Sequence, residues 1–280
     1  MTLNEVLGTP LRGVTPVYGG DINDAYKLNL SDGRLIFMKV NRSSGSSFFQ
    51  AEADGLEAIR ATDAIGVPQV IAVGKDQQYG AFLLLEWVEA VPNDPDFWES
   101  FGRSLARMHQ APASRFGWEK DNYIGASPQI NTPHDNWIAF YRDCRLAPQF
   151  RRADHYFEPA TWKRISRLLD RLEDYLVEPI HPSLLHGDLW SGNYITGNDG
   201  QAWLIDPAVY VGHAEADLAM TELFGGFHPD FYSAYREVNP LQPGYEQRRD
   251  LYNLYHLLNH LNLFGGGYLS AVLRILNRYS

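Results

Sequence analysis

The spacing of apolar residues changes character once along the chain, near residues 86–92, and that change limits what it can fold into. Before it, short apolar runs alternate with turn residues. Val17-Tyr18 leads into Gly19-Gly20, and residues 25–30, 34–40, 70–73 and 80–87 read as strands, with Ser31-Asp32-Gly33 as a turn. One helical stretch, residues 48–62, interrupts them with the stripe Phe48, Phe49, Leu56 and Ile59. After Pro92 the period is helical over residues 94–110, 135–151, 159–176, 215–224, 229–237 and 245–264. The exception is residues 193–205, which read as strand, Gly197-Asn198-Asp199-Gly200 turn and strand, a short hairpin. The expectation is an α+β chain with a strand-rich part over residues 1–88 and a mainly helical part over residues 89–280. No internal repeat is present.

Chemistry concentrates around that hairpin. His186-Gly187-Asp188-Leu189-Trp190-Ser191-Gly192-Asn193 precedes it, and Ile205-Asp206-Pro207 follows it. Phosphoryl transfer needs a carboxylate that orients and deprotonates an attacking hydroxyl, and oxygen ligands for the Mg²⁺ that neutralises nucleotide phosphates. An Asp, an Asn five residues on, and an Asp closing the next hairpin supply these groups in order: Asp188 as base, Asn193 and Asp206 as metal ligands. Asp-Gly and Asn-rich loops are also ordinary turn chemistry.

Upstream residues complete the set. Lys39 ends an otherwise apolar strand, either snorkelling at an edge or holding the α- and β-phosphates. Its expected partner is Glu52, which shares a helix face with Phe48, Leu56 and Ile59 and so needs a counter-charge; Glu57 is the competitor. Gly19-Gly20-Asp21-Ile22-Asn23 sits between two strands where a phosphate-covering loop belongs, although Gly-Gly also makes plain hairpins, and no Walker lysine follows. Leu85-Glu86-Trp87-Val88 offers backbone groups to an adenine edge, or is simply buried strand. Asp217 is either a buried acceptor for the catalytic loop or an exposed acid near a helix start. His256 and His260 have zinc-helix spacing but lack the Glu of His-Glu-x-x-His and a third ligand, so a packed or solvated face is the expectation. Cys144, the one cysteine, is read as structural.

What is missing narrows the acceptor. Gly187 stands where a loop phosphate would need an arginine, and eight residues separate Asp206 from the next helix. That leaves no room for a long activation segment, so a small molecule or side-chain adduct is expected rather than a peptide in a groove. Lys and Arg number 24 against 34 Asp and Glu, a net charge of −10, which argues against nucleic-acid binding. Both halves share the acidity, with 7 basic and 11 acidic residues up to residue 90. No apolar run is long enough to span a membrane and no secretory signal is visible, so the expected setting is cytoplasmic and membrane-free.

Four segments, Gly-Gly-Asp-Ile-Asn-Asp-Ala-Tyr (19–26), Asn-Trp-Ile-Ala-Phe-Tyr-Arg-Asp-Cys-Arg-Leu (136–146), His-Gly-Asp-Leu-Trp-Ser-Gly-Asn (186–193) and Glu-Ala-Asp-Leu-Ala-Met-Thr-Glu-Leu-Phe-Gly-Gly-Phe (215–227), resemble the fructosamine (ketosamine) kinases. These are a branch of the aminoglycoside-phosphotransferase and choline-kinase group. The resemblance implies a protein-kinase-like bilobal fold, with a small antiparallel-sheet N-lobe carrying one helix and a larger helical C-lobe. It implies ATP- and Mg²⁺-dependent phosphorylation of the sugar 3-hydroxyl of ketosamines, free or on protein lysine, after which the phosphorylated adduct detaches from the amine. It carries over Asp188 as base, Asn193 and Asp206 as metal ligands, and Lys39 with Glu52 as the ion pair. Residues 19–23 and 86–88 are then nucleotide-facing, His186 and Asp217 supporting, and Trp190 and Glu215 acceptor-facing, with loop packing the other reading of Trp190. Related kinases of aminoglycosides, choline or sugar derivatives are the alternative, followed by a pseudokinase; a monomer or a homodimer is compatible. Many eukaryotic members have a cysteine where this chain has Asp21, so redox control through that loop is not expected.

Overall fold

The computed structural model describes residues 3–18, 23–42 and 45–279. In chain order these form α1 (Leu3–Leu7), β1 (Leu11–Val17), β2 (Asp24–Leu30), β3 (Leu35–Asn41), α2 (Ser46–Arg60), β4 (Val70–Asp76), β5 (Gly80–Glu86) and α3 (Phe97–His109). There follow β6 (Asn122–Ile124), β7 (Ser127–Gln129), α4 (Trp137–Phe140), α5 (Ala147–Arg152) and α6 (Pro159–Asp170). Next come β8 (Ser183–Leu185), β9 (Tyr194–Thr196), β10 (Ala202–Leu204), β11 (Tyr210–Gly212), α7 (Glu215–Leu223), α8 (Pro229–Val238), α9 (Tyr245–Phe264) and α10 (Leu269–Tyr279). Two compact units result: one runs through Phe97 and takes in Tyr194–Pro207, and the other comprises Trp98–Asn193 and Ala208–Ser280. The boundary expected after residue 88 therefore falls after Phe97, and the hairpin β9–β10 goes with the sheet, not with the helices.

In the first unit the strands lie in the order β1-β2-β3-β5-β4, every pair antiparallel. Leu28, Leu30, Ile36, Met38, Val40, Phe82 and Leu84 pack on one face with Leu3 and Leu7 of α1. Side chains alternate along a strand, so Lys39, between Met38 and Val40, points to the other face. The helix α2 packs on β4 and β5. Its buried residues are Phe49, Ala53, Gly55, Leu56 and Ile59; Phe49, not Phe48, is the fully buried aromatic. The hairpin is tied in by main-chain bonds, Leu204 N–H to the Gly66 carbonyl at 2.8 Å and Val91 N–H to that of Thr196 at 2.9 Å.

The second unit is a helical assembly around Trp137, Phe140, Tyr141, Leu146, Phe150, Leu251, Tyr252, Leu254, Leu258 and Leu276. Its long central helix, α9, packs against α7 and α10. The helix expected over residues 135–151 is interrupted by a π-helical turn, Tyr141–Leu146, between α4 and α5. Sequence reading passes over α10, which buries Val272, Ile275, Leu276 and Tyr279 at helical spacing. It also passes over the three-residue pairs β6–β7 and β8–β11.

Candidate active site

The functional side chains fall into two groups, one in each unit. In the sheet unit, β3 delivers Lys39, 7% exposed, to α2, where Nζ donates to Glu52 Oε1 at 2.7 Å. The same ammonium bonds Asp206 Oδ1, two residues past the end of β10. Asp206 has a positive φ of 56°, a left-handed conformation that Asp tolerates better than most residues. Burial alone would lower the Lys39 pKa, but the Asp206 and Glu52 charges outweigh it and raise it. Glu52 is raised as well: burial leads, and Asp206 adds to it against the pull of Lys39.

In the helical unit, β8 ends in the loop that carries Asp188. Asp217, in the first turn of α7, takes the N–H groups of His186 at 2.7 Å and Gly187 at 2.9 Å. It also meets His109 Nε2 at 3.2 Å, and His109 Nδ1 meets the Tyr235 hydroxyl at 2.8 Å. Burial alone would raise the Asp217 carboxyl; His109 and the loop N–H groups hold it below the ordinary range. Of the two sequence readings of Asp217, the structure places it in the buried one. His186 is fully buried, with its ring nitrogen accepting from Asp188 N–H at 3.3 Å. Asn193 Nδ2 donates to the Asp188 carbonyl at 2.8 Å, closing the loop on itself. That bond commits the amide nitrogen and directs the chemistry of Asn193 to its carbonyl oxygen, a hard donor of the kind Mg²⁺ prefers. Asp206 offers carboxylate oxygen of the same class. Among the described residues no group of three or more His, Cys, Asp or Glu could hold a metal ion. Mg²⁺ characteristically takes only one or two protein ligands beside phosphate oxygens, and each of these two oxygen donors is chemically suited to that role.

Other expected residues are distributed as follows. Gly19, Gly20, Asp21 and Ile22 lie outside the described residues. Asn23 Oδ1 accepts from Asn41 Nδ2 at 2.8 Å. The strand ends at Glu86, which is exposed, and Trp87 and Val88 are half-buried, so this is not the plain buried strand of the alternative reading. Trp87 bonds Glu89 through its indole N–H at 2.7 Å and lies under the Lys27 ammonium, 4.1 Å from the ring centroid. Trp190 is 38% exposed, its ring 6.3 Å from Phe224. Glu215 is corrected: it is buried, with both oxygens bonded to Arg248 at 2.6 and 2.5 Å, a position closed to an acceptor. The half-buried His260 sits among Phe224, Phe264 and Tyr268. Cys144 is buried in the π-turn, and burial raises its thiol pKa.

A polar scaffold behind the loop escapes sequence reading. Asn122 Nδ2 holds the Val209 carbonyl at 2.7 Å, and Gln129 Nε2 holds that of Ala208 at 3.0 Å. The Tyr255 hydroxyl donates to Gln129 Oε1 at 2.7 Å, and Arg145 reaches Asn131 Oδ1 at 2.8 Å. Ala208 N–H in turn bonds the His186 carbonyl at 2.8 Å. Isolated Asn and Gln in loop-like sequence carry no signal that distinguishes them from solvated turn residues; the π-turn segment holding Arg145 is the one hint.

Comparison with known proteins gives the family and the fold. The chain belongs to the fructosamine kinase family, whose sequence model matches residues 1–280. It is 45% identical over 275 residues to a protein of Synechocystis sp. named as a probable ketoamine kinase, covering 95% of this chain and 90% of that one. A crystal structure from Thermobifida fusca, assigned as a fructosamine-3-kinase, is 36% identical with a TM-score of 0.88, covering 99% of this chain and 96% of that one. An aminoglycoside phosphotransferase structure, 16% identical with a TM-score of 0.68 over 99% of this chain and 94% of that one, shares the protein-kinase-like fold. No helix among the described residues is long and apolar enough to cross a membrane.

Proposed function

We propose that this chain is an ATP-dependent ketosamine kinase that phosphorylates the sugar 3-hydroxyl of amine–sugar adducts. The observation that carries the reading, beside family membership, is Asp188 presented on a loop whose main chain is anchored by Asp217. In the transfer step the acceptor hydroxyl gives its proton to Asp188 as its oxygen bonds the γ-phosphorus, and the bond from that phosphorus to the bridging oxygen of ADP breaks. Lys39, oriented by Glu52, holds the α- and β-phosphates, residues 19–23 cover the phosphates, and the main chain of 86–88 meets the adenine edge. Asn193 and Asp206 are the Mg²⁺ ligands. Bound Mg²⁺ supplies charge neutralisation at the phosphates. Trp190, aromatic and partly exposed, stacks on the sugar or its cationic amine, an attraction of about 0.5–2 kcal/mol. A cytoplasmic setting, as the sequence suggests, belongs to the same reading.

The test is ATP turnover by the purified chain across fructoselysine, ribuloselysine, an aminoglycoside and choline. Turnover on a ketosamine, falling about 10²- to 10⁴-fold in Asp188→Asn, is the expected result. Silence on every ketosamine would overturn the reading.

A further inference from the structure

His256 lies mid-way along α9 and is 3% exposed. Its Nδ1 is shielded from solvent and has no hydrogen-bond partner among the described residues. Native interiors keep few such orphans, and each one calls for an explanation. Here the orphan faces the catalytic loop: Nδ1 lies 3.9 Å from Asp188 Oδ1, roughly 1 Å beyond a hydrogen bond. The other carboxylate oxygen, Oδ2, has Asn193 Nδ2 at 3.4 Å. Each oxygen of Asp188 therefore has its own nitrogen neighbour, Asn193 Nδ2 as a hydrogen-bond donor and His256 Nδ1 just beyond that reach. Burial, with His260 and Arg145 nearby, pushes the His256 pKa down to about 3, so the ring is neutral at physiological pH. A neutral imidazole can donate one N–H to a carboxylate and leave its charge intact. The partner histidine does something different: His260 Nδ1 bonds the His256 carbonyl at 2.8 Å.

We propose that His256 is a positioning residue for Asp188: its Nδ1–H closes onto Oδ1 and, with Asn193 at Oδ2, fixes the carboxylate plane for the acceptor hydroxyl. This rests on the reading of Asp188 as the base. A misplacement of about 1 Å at such a group costs on the order of 10²-fold in rate, so the contribution is one to kcat and not to substrate affinity.

Steady-state kinetics of the full chain with ATP and its best ketosamine substrate test it, using His256→Leu, His256→Asn and Asp188→Asn. His256→Leu is expected to lower kcat about 10- to 100-fold while both KM values and the thermal midpoint hold. His256→Asn keeps an amide N–H on that side and is expected to recover most of the lost kcat. Should the leucine variant fail to fold, His256→Ala takes its place in the comparison with His256→Asn. Wild-type kcat in the apolar variant, or equal impairment in the apolar and Asn variants, overturns the positioning role. Full turnover in Asp188→Asn would instead remove the base assignment on which it rests, so the two failures are distinguishable.

Discussion

Gly187 turns the chain out of β8 with a φ of +83°, and a Cβ added there would lie 2.1 Å from the Ala208 carbonyl oxygen. The neighbouring His186 carbonyl accepts Ala208 N–H, so the segment carrying that oxygen cannot retreat without breaking the loop's support. Gly225 also has a positive φ, +97°, but nothing lies within 4 Å of an added Cβ. Gly225→Ala should cost only the left-handed strain, about 1–2 kcal/mol. Gly187→Ala adds a clash with main chain and should cost about 3 kcal/mol or more. Urea unfolding of the two variants checks this, and equal costs would show that the loop relaxes freely. Single residues were legible in proportion to how far they broke a local pattern. Lys39 in an apolar strand and Glu52 in an apolar helix stripe both demand partners, and each is the other's. His256 breaks no pattern, because a histidine pair at i, i+4 says nothing about which helix face meets residue 188. Glu215 misleads for the converse reason: its motif reads as acceptor-facing, while its charge is consumed by Arg248, 33 residues away.

At the scale of elements, the π-turn Tyr141–Leu146 places Arg145 fully inside the core. Its guanidinium lies 3.8 Å from the Tyr210 ring centroid and 4.6 Å from that of Phe140. It donates to the carbonyls of Ile130 and Cys144 at 2.5 and 3.0 Å and to Asn131, and no described carboxylate forms an ion pair with it. Two effects compete in Arg145→Met: relief of a buried charge, which favours the variant, and three acceptors losing donors, which opposes it. An orphaned buried acceptor costs about 1–3 kcal/mol and the π-stack is worth about 2, so the loss should win by about 2–4 kcal/mol. Arg145→Lys should recover little, because an ammonium has neither the planar face nor the fork. A lower urea midpoint in both variants is the expected measurement; a stabilised methionine variant would mean that relief of the buried charge outweighs the lost hydrogen bonds. Long elements are readable from period alone; α10 carries the same signal, Val272, Ile275, Leu276 and Tyr279 at i, i+3, i+4 and i+7, although the sequence reading stops at residue 264 and passes over it. The three-residue strands β6, β7, β8 and β11 are not readable: three residues cannot establish a period, and their pairing is decided by partners distant in sequence.

At the scale of the molecule, a net charge of −10 does not by itself set the response to acid; the groups whose pKa changes on folding do. His213 and His256 are pushed down to about 3, both chiefly by burial, with Arg248 adding to the effect on His213. The unfolded chain takes up these two protons near pH 6.5 and the folded chain refuses them until about pH 3. Each histidine therefore contributes stability that is complete above pH 6.5 and is lost as the pH falls. Glu52 and Glu215 are shifted the other way, raised chiefly by burial. Folded, they bind protons above the ordinary carboxylate pKa, so in that window acid favours the native state. Glu52, raised to about 7, opposes the histidines between about pH 6.5 and 4.5, and Glu215 acts in the same direction above its ordinary pKa; below that only the losses remain, joined by Asp217, whose folded pKa is lowered. Stability should thus fall more gently from pH 6.5 to 4.5 than below it. Glu52→Gln removes one compensating group while keeping an oxygen for Lys39, so it should tilt the upper window toward loss by as much as about 1.4 kcal/mol per pH unit. Glu215→Gln is the poorer probe, because it also breaks the buried pair with Arg248. Urea midpoints at pH 6.5, 5.5 and 4.5 read the difference directly. Parallel profiles for wild type and Glu52→Gln would mean that Glu52 takes up no proton in that window, and that the Lys39 ammonium keeps it ionised in spite of its burial.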